Sequence, residues 1–72
     1  MNMNLASKML LENQLKTNLT YWMLAHGTIL SDRSRSNEYV KVRFLKIVWK
    51  DCLWEITQVD GMTCLIEKVF SS

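Results

Sequence analysis

The dipeptide Asp60-Gly61 constrains this chain more than any other short feature, because it separates two runs rich in apolar residues. Asp-Gly between such runs is typical of a tight β-hairpin turn. A three-residue loop that ends at a left-handed Gly61 pairs Trp54 with Ile66. A two-residue loop instead pairs Trp54 with Glu67 and mixes charged and apolar side chains on both faces. Since a shift of one residue turns a whole strand over, we expect the three-residue loop, which leaves one face almost entirely apolar.

A second turn is predicted at Lys50-Asp51. A two-residue connection there places Lys46 opposite Glu55, which makes an opposite-charge cross-strand pair. Lys-Asp is not a favoured dipeptide for such a turn, so a longer or bulged loop stays open as an alternative. The two turns together predict a three-stranded antiparallel meander over about residues 39–70.

These registers divide the meander into two faces. The first face is expected to form the core, and it carries Leu45, Ile47, Trp49, Cys52, Trp54, Ile56, Met62, Cys64 and Ile66. The second face is also rich in apolar side chains, among Lys46, Glu55, Thr57, Thr63 and Glu67. A small chain seldom leaves such a patch in water. We therefore predict a partner or dimer interface at Phe44, Val48, Leu53, Leu65 and Val69.

A helix is predicted over about residues 4–26, where Asn4 is a candidate N-cap and Gly27 follows the last turn. Its apolar residues at three- and four-residue spacing are expected to pack on the first face; they are Leu11, Leu15, Leu19, Trp22 and His26. Residues 28–38 are polar and charged, so they are expected to form a mobile basic linker. The predicted fold is one α+β domain over residues 1–72, in which the helix packs on three strands (αβββ).

Charge is unevenly distributed along the chain. Residues 33–50 hold six cations and one acid, whereas residues 51–72 hold four acids and one cation. Clustered Arg and Lys can neutralise phosphates, and they also keep a strand edge solvated and resistant to aggregation. The candidate contacts to a nucleic acid or an acidic partner are Arg33, Arg35, Lys41, Arg43, Lys46 and Lys50.

No residue pattern in the chain points to catalysis. His26 is the only histidine, and no other Cys or His lies at metal-ligand spacing around it. A histidine near a helix C-terminus is more typically a favourable partner of the helix dipole. The carboxylates form no evident acid-base pair, and a glycine-rich phosphate loop is absent. We expect no metal, no cofactor and no enzymatic activity.

The sequence also bears on the location of the protein. No run approaches 18 apolar residues, so no membrane span is expected, and no signal peptide is evident at the N-terminus. The two cysteines are too few for a disulfide framework. Cys52 and Cys64 are expected to be buried, free and apart. A reducing cytoplasm is therefore the predicted location.

The order of helix and meander resembles the first part of double-stranded-RNA-binding domains, but their final helix and basic motif are missing here, so no family is assigned. The small size, the dense aromatic residues and the lack of a catalytic motif resemble orphan proteins of bacteriophages and mobile elements, many of which block a host protein stoichiometrically. This resemblance implies a protein-binding regulator or inhibitor that works as a homodimer or with a partner. The alternative is a small nucleic-acid-binding protein that uses residues 33–50.

Overall fold

The computed structural model describes residues 5–71, and the side chains of residues 5–69. One helix is followed by four strands: α1 (Leu5–His26), β1 (Thr28–Ser36), β2 (Lys41–Trp49), β3 (Cys52–Val59) and β4 (Met62–Ser71). The strands form one antiparallel sheet in the order β1-β2-β3-β4. The α+β class is confirmed, whereas Asn4 lies outside the described residues.

The prediction of three strands is wrong, because most of the expected linker forms β1. Residues 28–36 pair with residues 41–48 of β2, with an irregularity between Ile29 and Ser31. The Asn37 side chain supports the connection to β2, since its Oδ1 accepts hydrogen bonds from the backbone N–H groups of Tyr39 and Val40 at 2.8 and 3.0 Å. The alternation of Ser and Arg in this segment has the period of two that a strand has, and every residue of β1 except Ser31 is exposed.

Asp32 and Arg43 join β1 to β2. The Arg43 Nε and Nη2 groups donate to the two carboxylate oxygens of Asp32 at 2.9 and 2.7 Å. This hydrogen bonding lowers the pKa of the Asp32 carboxyl from its ordinary value. A bidentate pair of this kind adds geometric specificity as well as energy, so it helps to hold β1 in register.

We expect Asp32→Asn to lower the free energy of unfolding by about 0.5 kcal/mol at pH 7, because the pair is largely exposed. A lowered pKa means that the pair stabilises the fold above the ordinary aspartate range and that this contribution is lost as the pH falls through the lowered value. Urea unfolding of the parent and the variant at pH 7 and at pH 2 measures the loss of stability at neutral pH and its disappearance in acid. A difference between parent and variant that is as large in acid as at neutral pH would contradict this assignment.

The turn between β2 and β3 is the predicted two-residue connection. Trp49 pairs with Cys52, and Lys50 and Asp51 have φ angles of 51° and 58°. Two left-handed residues are the signature of a type I′ turn, which matches the twist of the flanking strands. Lys46 lies opposite Glu55 as predicted, with 3.9 Å between Nζ and Oε1.

The predicted three-residue loop between β3 and β4 is wrong. Val59 pairs with Met62, so the loop is the two-residue Asp60-Gly61, although the predicted left-handed Gly61 is confirmed by its φ of 84°. A bulge at Cys64 then shifts the register and brings Ile66 opposite Ile56. The bulge resolves the conflict seen in the sequence, because a tight turn and an apolar core face are both kept.

The bulge changes the surroundings of two side chains. Thr63, which was expected on the second face, is fully buried on the side of the sheet that faces α1. Cys64, which was expected in the core, is exposed, and its Sγ lies 3.5 Å from the carbonyl oxygen of Thr57. Cys52 is half-buried, and both cysteines are free.

The β3–β4 turn is also attached to the start of β2. The Asp60 N–H donates to the carbonyl oxygen of Lys41 at 2.8 Å, and the Lys41 N–H donates to Oδ1 of Asp60 at 3.0 Å. Asp60 holds this position with a left-handed φ of 49°. Its side chain and its unusual backbone therefore both serve the turn.

We expect Asp60→Ala to destabilise the fold by about 2 kcal/mol, because it removes an acceptor and places a residue that disfavours this backbone at a left-handed position. Asp60→Asn keeps an acceptor and tolerates that backbone, so it should cost less than about 0.5 kcal/mol. Thermal unfolding of the two variants side by side measures the difference. Equal melting temperatures would show that the contact with Lys41 contributes nothing.

The helix packs on one face of the sheet, but not with the predicted stripe. The buried core consists of Met23, Leu45, Ile47 and Ile56. In the predicted stripe, Leu11, Leu15 and Trp22 are 47%, 60% and 59% exposed. The helix is rotated so that Thr17, Thr20 and Met23 face the sheet.

A chain of hydrogen bonds explains this rotation. Nε2 of Gln58 donates to Oγ1 of Thr63 at 3.2 Å, and that hydroxyl donates to Oγ1 of Thr20 at 2.8 Å. The Thr20 hydroxyl donates to the carbonyl oxygen of Lys16, and the Thr63 N–H donates to Oγ1 of Thr17 at 2.7 Å. These buried polar groups are satisfied only when the threonine side of α1 meets β4, so they select this rotation.

Candidate functional site

The face of the sheet opposite α1 is not covered by any other described segment. We name it the open face, and the pleat assigns to it every second side chain of the strands. Its principal residues are Arg33 and Arg35 of β1, Phe44, Lys46 and Val48 of β2, Leu53, Glu55 and Thr57 of β3, and Leu65 and Glu67 of β4.

Four of the five predicted interface residues lie on the open face, in two separate rows. Phe44 and Leu65, each 45% exposed, flank Thr57 in one row of side chains across the strands, whereas Val48, 37% exposed, pairs with the half-buried Leu53 in another row. The fifth residue, Val69, is exposed at an irregularity of β4, so its register does not assign it to either face. A row of charged residues, Lys46, Glu55 and Glu67, runs between the two apolar rows. The open face is therefore a mixed apolar and charged surface, and exposed apolar side chains on an uncovered sheet indicate an interaction surface.

The structure brings three of the six predicted cations together. Arg33 lies opposite Phe44 and Arg35 lies opposite Val42. Lys46 is two residues from Phe44 on β2, so all three cations point to the open face. The other three do not join them. Lys41 and Arg43 project from the α1 side, where Arg43 is held by Asp32, and Lys50 lies in a turn with Nζ 4.5 Å from the centre of the Trp49 ring.

Two acids stand on the opposite half of the open face. Glu55 and Glu67 are directly opposite each other on β3 and β4, an arrangement that is unfavourable for like charges. Lys46 reaches Glu55 from β2, but Glu67 has no ion-pair partner within residues 5–69. Over the same range, Arg33 and Arg35 have no ion-pair partner either. Within that range, the open face therefore carries two unpaired cations along β1 and one unpaired acid, Glu67, on β4.

A shallow depression lies on the basic half of the open face. Its polar and aromatic lining includes Ser31, Arg33, Arg35, Phe44, Lys46, Glu55 and Thr57. The depression combines cations that suit carboxylate or phosphate groups with one aromatic ring. This alignment of Arg33 with Phe44 was not predicted from the sequence, in which the alternation of Ser and Arg was the signal for it.

The described residues offer no constellation for metal binding. No group of three or more His, Cys, Asp or Glu side chains is placed to hold an ion between residues 5 and 69. His26 is exposed in the last turn of α1, and its ring packs edge-on against Trp22 with 4.7 Å between centroids. Within the same part of the chain, no helix combines the length and apolar character that a membrane span requires.

A second apolar surface lies on the first half of α1, where residues 5–12 are all exposed. The predicted length of the helix is confirmed, and only its second half packs on the core. The exposed apolar side chains of this half are Leu5, Met9, Leu10, Leu11 and Leu15. The open face and this half-helix are thus two separate apolar surfaces.

Comparison with protein-family models, with curated proteins and with solved structures finds no match for this chain. Function must therefore be inferred from the chemistry of the open face.

Proposed function

We propose that this chain is a non-enzymatic protein-binding regulator or inhibitor, which acts stoichiometrically on another protein through the open face. The observation that carries the proposal is the exposure of the apolar side chains of Phe44, Val48 and Leu65 on an uncovered sheet. Burial of apolar surface contributes about 25 cal/mol per Å², so a patch of a few hundred Å² offsets a substantial part of the cost of association.

Two further features support this role. Charged residues lie beside the apolar side chains on the same face, which agrees with the mixed composition of non-obligate protein interfaces. The free cysteines agree with a reducing, cytoplasmic setting. The resemblance in size and composition to bacteriophage and mobile-element proteins that block host proteins is consistent with the same kind of action.

A pull-down with matched variants tests the proposal. The open-face variant combines Val48→Glu with Leu65→Glu, both at exposed positions. The control combines Leu10→Glu with Leu15→Glu, which are exposed on α1. We expect the parent and the control to retain one partner at a fixed stoichiometry and the open-face variant to lose it. Loss of the partner in the control alone would place the interface on α1 and contradict the proposal.

A second candidate function is binding of single-stranded nucleic acid. The observation in its favour is that Arg33, Arg35 and Lys46 share a face with Phe44, since cations with an aromatic ring are the usual elements of such sites. Glu55 and Glu67 on the same face oppose it, because they repel phosphates.

Fluorescence anisotropy with labelled oligonucleotides at several salt concentrations separates the two functions. Three phosphate contacts predict that log K falls with log salt with a slope of about −2. Arg33→Gln with Arg35→Gln should flatten this slope, whereas Lys41→Gln with Lys50→Gln should not. Absence of binding at low salt would exclude the nucleic-acid function.

A further inference from the structure

We infer that a second copy of this chain occupies the open face, related to the first by a two-fold axis that runs parallel to the strands between β2 and β3. This inference rests on the proposed function, because it names a partner for the same surface. Since both contacts use that surface, a different protein partner would have to displace the second copy.

The charges left unpaired in one copy are the first argument. Arg33 and Arg35 on β1 and Glu67 on β4 have no ion-pair partners among the described residues. Glu67 also faces Glu55 across the β3–β4 ladder, and this like-charge pair is unfavourable in isolation. A cation supplied from outside the chain removes that penalty, and the chain itself carries such cations on β1.

Symmetry supplies the second argument. Strand order β1-β2-β3-β4 and an axis parallel to the strands place β1 of one copy over β4 of the other, and β2 over β3. Each basic edge then lies over the edge that carries Glu67, and this occurs twice because the interface is isologous. An axis perpendicular to the strands would instead place β1 over β1, with arginines facing arginines.

The cross-strand rows of side chains, meaning the residues that lie opposite one another on adjacent strands, agree with this arrangement. Lys46 and Glu55 share one row, so Lys46 of one copy faces Glu55 of the other. Val48 and Leu53 share another row, which brings apolar side chains together near the axis. Arg33 lies two residues from the row of Glu67, which is about 7 Å along a strand, and an extended arginine side chain spans that offset.

The available area fits a reversible dimer. Four strands about 4.8 Å apart and about eight residues long present about 500 Å² in plan. Two such faces therefore cover about 1,000 Å², close to the lower limit for a specific interface. We expect a dimer with a dissociation constant in the micromolar range rather than an obligate one.

Sedimentation equilibrium of the parent and two edge variants tests the inference. The basic-edge variant is Arg33→Glu with Arg35→Glu, and the acidic-edge variant is Glu67→Lys. Each variant alone should dimerise about 30-fold or more weakly than the parent, because like charges then face each other. An equimolar mixture of the two should recover heterodimers within about threefold of the parent affinity, since the facing charges are opposite again.

Glu67→Lys also provides an internal control for folding. Within one copy it replaces the Glu67–Glu55 pair by an opposite-charge pair, so the monomer should unfold at the same or a higher urea concentration. A dimer lost in a variant that folds as well as the parent cannot be attributed to misfolding.

The outcomes separate the two proposals. A parent that stays monomeric at high micromolar concentration overturns the second copy as occupant, and the proposed function stands if Val48→Glu with Leu65→Glu still abolishes capture of another protein. A dimer that tolerates both edge variants overturns the two-fold arrangement, and so does a heterodimer of the basic-edge variant with the parent that is tighter than the parent homodimer. Weak homodimers of each variant with recovery in the mixture support it.

Discussion

Ile47→Ala is expected to lower the free energy of unfolding by about 3–4 kcal/mol, enough to unfold much of a domain of this size at room temperature. Ile47 is fully buried, and it lies with Met23, Leu45 and Ile56 in the small core beneath α1. A core of four buried residues has little capacity to close a cavity, so both the lost burial and the cavity contribute to the cost.

Urea unfolding followed by tryptophan fluorescence measures this effect at low protein concentration. The matched control is Val48→Ala, one residue along β2 but on the open face, which should cost less than about 1 kcal/mol. Similar losses for the two variants would show that the sheet buries both of its faces equally, and the division into a core face and an open face would be wrong.

Gly27→Ala is expected to destabilise the fold by about 2–3 kcal/mol, even though alanine favours helices over glycine. A Cβ at this position would lie 2.6 Å from Cγ2 of Ile47, 2.8 Å from the carbonyl oxygen of Met23 and 2.9 Å from that of Val48. Two of the three contacts are with backbone atoms, so the end of α1 would have to move away from β2.

Gly61→Ala is the control, because a Cβ there meets nothing within 4 Å but the φ is 84°. Its cost should be only about 1–2 kcal/mol, from backbone strain alone. Thermal unfolding and one amide-proton spectrum per variant distinguish the two effects. Gly27→Ala should shift resonances in both α1 and β2, whereas Gly61→Ala should shift only those near the turn. A Gly27→Ala protein as stable as the parent would rule out the close approach of helix and sheet.

Part of the candidate site could be predicted from short-range patterns alone. Phe44, Val48, Leu53 and Leu65 were assigned to one face because alternation along a strand requires only the pleat and a correct register near each residue. The charged set was less predictable. Arg33 and Arg35 joined the open face only because β1 forms, and Arg43 turned away from it to meet Asp32.

The amino-acid sequence by itself determined the features that depend on neighbouring residues: the extent of α1, the Lys50-Asp51 connection, the left-handed Gly61 and the membership of Leu45 and Ile47 in the core. Turn chemistry and side-chain periodicity act within a few residues, so they are visible in the sequence.

Only the tertiary structure decided the features that depend on distant partners. β1 is polar, and it becomes a strand because β2 offers an edge to pair with. The bulge at Cys64 and the rotation of α1 arise together, since Thr63 must turn inward to bond Thr20, which is 43 residues away in the chain. Buried polar groups must find partners wherever the fold places them, and in this protein that requirement outweighed the apolar periodicity of the helix.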